Sequence, residues 1–295
     1  MTFISFLLQP HTLVTASLPS RERIRGFTLI EMAVAMFIIA LLLGSILVPL
    51  QTQIESRNFE NTQRILDQAR EALIGYVGAY GYFPCPASAT SNGQESPVSH
   101  PLSGVCNGVV TGTNAYIGFL PAAALGFTPT DAQGYAVDAW GSSLDRNRIR
   151  YAVSNATIGA ANTFTRPSTA TTGMRFAGMS NIASATTLLY VCNSGAGGAA
   201  MTAGTNCGTA VTLTSNAIAV IWSVGPNAII TTGPTAGGAS VDELQNPNPT
   251  AGFSADRIFV SRTRSGGTSG QFDDIVTWIG PPTLFNRLIA AGQLP

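Results

Sequence analysis

Three groups of residues in this 295-residue chain have types and spacings suited to chemistry. The first is Glu31, a carboxylate five residues into an apolar run that opens at Phe27; from Met32 to Val48 seventeen residues carry no charge. A carboxylate in such a segment is costly and calls for a cationic partner. The second group is Cys85, Cys106, Cys192 and Cys207. Four cysteines allow three pairings. Joining sequence neighbours would close loops of about twenty and fifteen residues, each worth roughly 3 kcal/mol in the chain-entropy model. Free thiols and zinc are the competing readings, but there is no C-x-x-C, and His100 is the sole histidine after the apolar run. The third group is Asp273-Asp274, an adjacent pair suited either to a hard cation or to capping backbone amides in a turn. Enzyme chemistry is disfavoured. A catalytic Ser or Cys would need His100 as its base, between Ser99 and Pro101, and no G-x-S-x-G, H-E-x-x-H or phosphate-loop pattern occurs.

These residues need elements to hold them. Phe27 to Leu50 as a helix is roughly 36 Å long, enough for a hydrocarbon core of about 30 Å. Arg21, Arg23 and Arg25 immediately precede it. A secretory signal has its positive charge before its apolar core, whereas here apolar Met1–Leu8 comes first. The arginines therefore keep the N-terminal side cytoplasmic and send the rest outward, into a compartment where disulfides form. Gly44 and Pro49 interrupt the apolar segment, and Pro49 is expected to kink or locally melt it. Beyond it, Phe59, Leu66, Ala69, Leu73, Tyr76 and Tyr80 recur at helical spacing. Glu55, Arg57, Glu60, Arg64, Asp67, Arg70 and Glu71 between them read as a solvated face, with Glu60–Arg64 an i,i+4 pair. Gly75, Gly78 and Gly81 weaken the helix and Pro84 ends it, so one helix is expected from Phe27 to about Tyr82.

The remainder reads as short strands: Arg148–Val153, Thr186–Cys192, Ala217–Val224, Arg257–Ser261 and Asp274–Ile279, paired antiparallel. Ser88–Thr113, Ser154–Ser184 and Gly225–Asp256 read as surface excursions, with irregular strands expected in Ser154–Ser184. Pro281 to Gly292 reads as a C-terminal helix. The chain holds no lysine, and only 10% of its residues are charged. Removing residues 1–26, which hold three Arg and one Glu, leaves twelve basic and fourteen acidic residues. That balance gives no nucleic-acid footprint.

The string Arg25-Gly26-Phe27-Thr28-Leu29-Ile30-Glu31, followed by an apolar helix, resembles the prepilin signature of the type IV pilin-like family, which includes minor pilins and type II secretion pseudopilins. The resemblance implies that prepilin peptidase cuts after Gly26 and methylates Phe27, the new N-terminus. Glu31 would then pair with the Phe27 ammonium of a neighbouring subunit and set register between helices. It implies an α+β pilin fold, a long helix laid on an antiparallel sheet. The parts would be a leader over 1–26, a membrane half over 27–50, an amphipathic half over 51–83 and a periplasmic head over 84–295. Partners would be other pilin or pseudopilin subunits, an inner-membrane assembly platform and the inner membrane, with a pilus or pseudopilus as destination. Asp138-Ala139-Trp140-Gly141 is similar to the family's Asp-Pro-Trp-Gly turn, with Ala139 in place of Pro and a charged insertion, Asp145-Arg146-Asn147-Arg148, after it. Trp140 reads as a core anchor. Phe272-Asp273-Asp274-Ile275 is similar to the Asp-Asp-Ile motif of major pseudopilins, whose loop can hold calcium; Asp256 or backbone carbonyls would supply further oxygens. Two rivals stand beside this reading: an adhesin or binding protein presented on a filament, and an anchored periplasmic protein that never assembles.

Overall fold

Helix α1 spans Leu29–Tyr80, 52 residues, in the computed structural model. The structure describes residues 26–97, 105–106, 110–112, 115–141, 147–159, 162–167, 173–186, 188–226, 240–246, 256–266 and 271–294, with the side chains of 45–50 and 110–112 outside that description. The chain divides into two compact units, Met1–Thr52 and Gln53–Pro295, and α1 contributes to both. In the first unit α1 remains helical through Gly44 and Pro49, without the local melt that the sequence allowed. Among the described residues no helix is long and apolar enough to cross a membrane. The apolar run that motivates a membrane segment continues into residues 45–50.

In the second unit the apolar stripe of α1 is Leu66, Ala69, Leu73, Ile74 and Val77, all buried. It ends differently from the sequence reading. Tyr80 is 60% exposed, and the fully buried Thr62 takes a place on the inner face, where its Oγ1 accepts a bond from the Ala139 N–H at 3.1 Å. Gly81, at φ +78°, terminates the helix, and its N–H reaches the Val77 carbonyl at 2.7 Å. A left-handed residue just past a helix is a stop signal that glycine meets without steric cost. The charges opposite are not all left to solvent. Glu55 pairs with Arg264 and Glu71 with Arg287, each at 2.9 Å, and Arg70 Nε donates to the Trp278 carbonyl at 3.1 Å.

The elements that follow are β1 (Val110–Gly112), β2 (Ala115–Phe119), α2 (Ala122–Leu125), β3 (Arg150–Ser154), β4 (Thr157–Ile158), β5 (Asn162–Thr163), α3 (Met174–Ala183), β6 (Leu189–Cys192), α4 (Ala199–Thr202), β7 (Thr212–Ala217), β8 (Ala219–Ser223), α5 (Val241–Gln245), β9 (Ile258–Val260), β10 (Ile275–Ile279) and α6 (Pro281–Ala290). Five strands form an antiparallel sheet in the order β1-β2-β3-β8-β10. Three more form a second sheet, β7-β6-β9, in which β6 and β9 run parallel. This parallel pair departs from the all-antiparallel expectation. The chain between Cys192 and Ile258 is long enough to carry β9 back in the same direction.

Alternation along the strands decides the layers. Tyr151, Val153, Ala219, Ile221, Ile275 and Ile279 point to one face and pack with Leu66, Leu73 and Val77 of α1 and Leu284 and Leu288 of α6. Ile117, Ala152, Val220 and Trp222 point to the other and meet Leu189, Val191 and Phe259 of the smaller sheet. The large sheet is therefore covered on both faces, where the sequence reading had one helix on one face. Segment 154–184, expected as a surface excursion, enters the core. Phe164, Met174 and Ile182 are fully buried, and the Phe164 carbonyl accepts from the Phe83 N–H at 2.8 Å.

Candidate functional site

The start of α1 is built from four residues. Gly26, Phe27 and Thr28 lie outside the helix, and Thr28 caps it. The Glu31 N–H donates to Thr28 Oγ1 at 3.3 Å, while the Thr28 N–H and hydroxyl face Glu31 Oε2 at 3.4 and 3.5 Å. This reciprocal pattern is a capping box, Thr-x-x-Glu. It satisfies two backbone amides that helical bonding leaves open and sets a negative charge at the positive end of the helix dipole. Glu31 is thus positioned by its own chain and still exposed. Phe27 is 77% exposed, and Leu29, Ile30, Met32, Val34, Met36, Phe37, Ile38, Ile39 and Leu41–Leu43 are exposed with it. A monomer in water does not leave so long an apolar surface open.

A family model described as the prokaryotic N-terminal methylation motif matches residues 21–47. The chain carries the type IV pilin and pseudopilin signature. No curated protein and no solved structure matches it. The motif implies processing by prepilin peptidase, assembly with other pilins and membrane anchoring, and the motif's family is structural rather than enzymatic.

In the second unit, Cys85 joins Cys106 and Cys192 joins Cys207, with Cα–Cα distances of 5.5 and 5.7 Å. The first bridge ties the exit of α1 to the segment before β1; the second closes the turn that carries α4. His100 lies outside the described residues, as do Asp145 and Arg146. Asn147 and Arg148, read as part of a charged insertion, are buried instead. Arg148 Nε meets Asp131 Oδ2 at 2.7 Å and its guanidinium lies 3.8 Å from the Tyr135 ring centroid. Asn147 Nδ2 donates to Asp138 Oδ1 at 3.0 Å, which also accepts from the Trp140 N–H at 3.0 Å, while the Ser223 hydroxyl donates to Asp138 Oδ2 at 2.6 Å. Burial pushes the Asp138 carboxyl up to about 6, against the pull of these bonds and of Arg150. Trp140 packs against the main core.

Asp273 and Asp274 sit just before β10, 2% and 6% exposed. The structure brings a third carboxylate to them, Glu243 of α5; one oxygen from each lies within 4.8 Å of the others. Asp256 is not in this group: it accepts from the Ile258 N–H at 2.8 Å and from Gln245 Nε2 at 3.1 Å. Glu243 escaped the sequence reading although a signal was there. Ser240-Val241-Asp242-Glu243 is a second Ser/Thr-x-x-Glu string, and Ser240 and Glu243 form a capping box. Glu243 Oε1 accepts from the Asp273 N–H at 3.2 Å, and Asp274 Oδ2 accepts from Asn246 Nδ2 at 2.6 Å. Burial, with the Glu243 charge adding to it, raises Asp273 to about 7; burial also raises Asp274 well above its ordinary range.

Proposed function

We propose that this protein is a pilin-like structural subunit, a minor pilin or pseudopilin. In this reading prepilin peptidase cuts between Gly26 and Phe27 and methylates Phe27. Residues 27–50 hold the subunit in the inner membrane, 51–83 form the amphipathic half of the helix, and 84–295 form the periplasmic head. An assembly platform then draws the subunit into a type IV pilus or type II secretion pseudopilus. The observation that carries the reading is the pairing of the methylation motif over 21–47 with an exposed apolar helix whose only carboxylate near its start is Glu31.

The mechanism is assembly. Cleavage would create an ammonium at Phe27. Glu31 of a neighbouring subunit, already aimed by its cap at Thr28, would neutralise it inside the helix bundle. Two such charges are each costly in an apolar medium and tolerable as a pair, so the pair selects one axial offset between helices. The heads would supply the outer surface.

The test is the mass and N-terminal sequence of membrane-extracted protein from cells with and without prepilin peptidase, together with E31A. The expected mature chain starts at N-methyl-Phe27 only when the peptidase is present. E31A is expected to be cleaved normally and to enter filaments about a hundredfold less, since losing a buried pair costs about 3 kcal/mol. Retention of residues 1–26 in wild type refutes the processing; E31A filaments at wild-type level refute the pairing.

A further inference from the structure

Seven charged residues lie on α1 between Glu55 and Glu71, and they divide into two sets. Glu55, Arg70 and Glu71 are tied to their own chain, through Arg264, the Trp278 carbonyl and Arg287. Arg57, Glu60, Arg64 and Asp67 are exposed, and none of them makes an ion pair or a side-chain hydrogen bond among the described residues. Glu60 and Arg64 stand one turn apart in the order that favours a pair, and still form none. Spacings of 3, 4 and 3 residues put the four on one stripe of the helix. The stripe lies on the side away from the buried Thr62, Leu66, Ala69 and Leu73. Its signs alternate: plus, minus, plus, minus. Asn61, Gln63 and Gln68 beside it are exposed amides without charge, so the four residues carry its whole electrostatic pattern.

Laid parallel against its own copy in register, such a stripe sets Arg on Arg and acid on acid at all four levels. A shift of seven residues repeats the fault, with Arg57 on Arg64 and Glu60 on Asp67. A shift of three to four residues, about 5 Å along the axis, reverses every contact. Arg57 then faces Glu60 of the other copy, Glu60 faces Arg64, and Arg64 faces Asp67. We propose that this stripe is a docking face for α1 of a second copy of the chain, and that it selects a parallel contact shifted by one helical turn. The inference rests on the reading of the protein as an assembling subunit. In that reading two copies held in one membrane by residues 27–50 run the same way, which removes the antiparallel match. The pairing of a Phe27 ammonium with Glu31 of a neighbour also spans four residues, so it calls for the same shift. Opposite charges draw the copies together at that shift, and like charges exclude the others. Each pair faces solvent and is weak and screened by salt, so the choice among shifts comes from the sum along the stripe. Glu71, next in the same row, is held by Arg287 and adds no fifth level.

The test measures, in cells, the share of full-length protein recovered in sheared filaments, with the N-terminus of each variant read by mass. E60R/D67R makes the stripe all positive, and R57E/R64E makes it all negative. The quadruple variant R57E/E60R/R64E/D67R keeps the alternation with its signs exchanged. Because the four side chains are exposed and bond nothing in their own chain, all three variants are expected to be cleaved before Phe27. In detergent they are expected to melt within about 4 °C of wild type. Each single-sign variant alone is expected in filaments about tenfold less than wild type. The two expressed together are expected to return to within about twofold of it, since each then faces the other. The quadruple variant is expected at wild-type level. Single-sign variants at wild-type level overturn the proposal and leave the subunit reading in place. So does a loss that co-expression does not restore, which makes the occupant another protein, and so does a quadruple variant as depleted as the single-sign ones. Wild type absent from filaments refutes the subunit reading, and the docking face falls with it.

Discussion

Asp131→Asn isolates the buried ion pair of the second unit. Asp131 Oδ2 and Arg148 Nε are 2.7 Å apart, with side chains 3% and 4% exposed. Asp131 Oδ1 separately accepts from the N–H groups of Gln133 and Tyr135 at 3.0 and 2.9 Å. An Asn keeps that oxygen and the turn it closes, so the substitution removes charge and leaves local backbone geometry in place. Arg148 then stays against Tyr135 and Phe119, at 3.8 and 5.6 Å from their ring centroids, without the carboxylate that offsets its desolvation. Breaking one side of a buried pair costs about 3–5 kcal/mol. At roughly 2–4 °C per kcal/mol for a domain of this size, the melting temperature should fall by roughly 6–20 °C. Arg148→Met removes the buried charge as well and keeps an apolar stem over the rings, so the double variant D131N/R148M should recover about half of that loss or more. Near-ultraviolet circular dichroism of the four proteins during thermal melting gives the cycle. A loss below about 1 kcal/mol in D131N, or a double variant no more stable than D131N, refutes the reasoning.

Two further outcomes concern the second unit. C192S/C207S opens a 15-residue loop and should lose about 3 kcal/mol in urea unfolding, while a protein equally stable with and without the bridge contradicts the placement of that turn against β6 and β7. Asp138 is raised to about 6 in the fold from an ordinary value of 3.8, so between pH 4 and 6 the folded state binds more protons than the unfolded one. Its contribution therefore makes stability fall as pH rises through that window, by about 3 kcal/mol in all, and level off above it. D138N should show a shallower pH dependence than wild type across pH 4–6; parallel curves contradict the burial argument.

Both Glu31 and Glu243 close Ser/Thr-x-x-Glu caps three residues after the capping side chain, and this shows how far local spacing reaches. A capping box is written in four consecutive residues, so it can be read without a fold. The same holds for the methylation motif, for the helix that starts at Leu29 and for α6 with its leading prolines: their hydrogen bonds close over three or four residues. Runs rich in Val, Ile, Phe, Tyr or Trp between polar turns likewise marked β3, β6, β8, β9 and β10, because short apolar runs suit strands buried in a sheet. What such a run leaves open is the neighbour. β9 pairs parallel to β6 across a long connection, and a second sheet rather than solvent covers Trp222 and Val220. Segment 154–184 is rich in Thr, Ala and Gly, yet the core takes up Ile158, Phe164, Met174 and Ile182 from it, while Phe176 and Met179 stay exposed. Charge is the plainest case. Arg148 and Asn147 look like a solvated insertion in sequence, and only partners nine to seventeen residues away, Asp138 and Asp131, make their burial affordable. Asp273 and Asp274 announce a carboxylate pair by themselves, but Glu243 joins them because α5 lies against the residues that precede β10. By itself the sequence determined the motif, the helix and most of the strand segments, since these rest on local residue type and on bonds between near neighbours. Only the tertiary structure decided which charges are buried and which acids meet, since desolvation and Coulomb energy depend on distance in space.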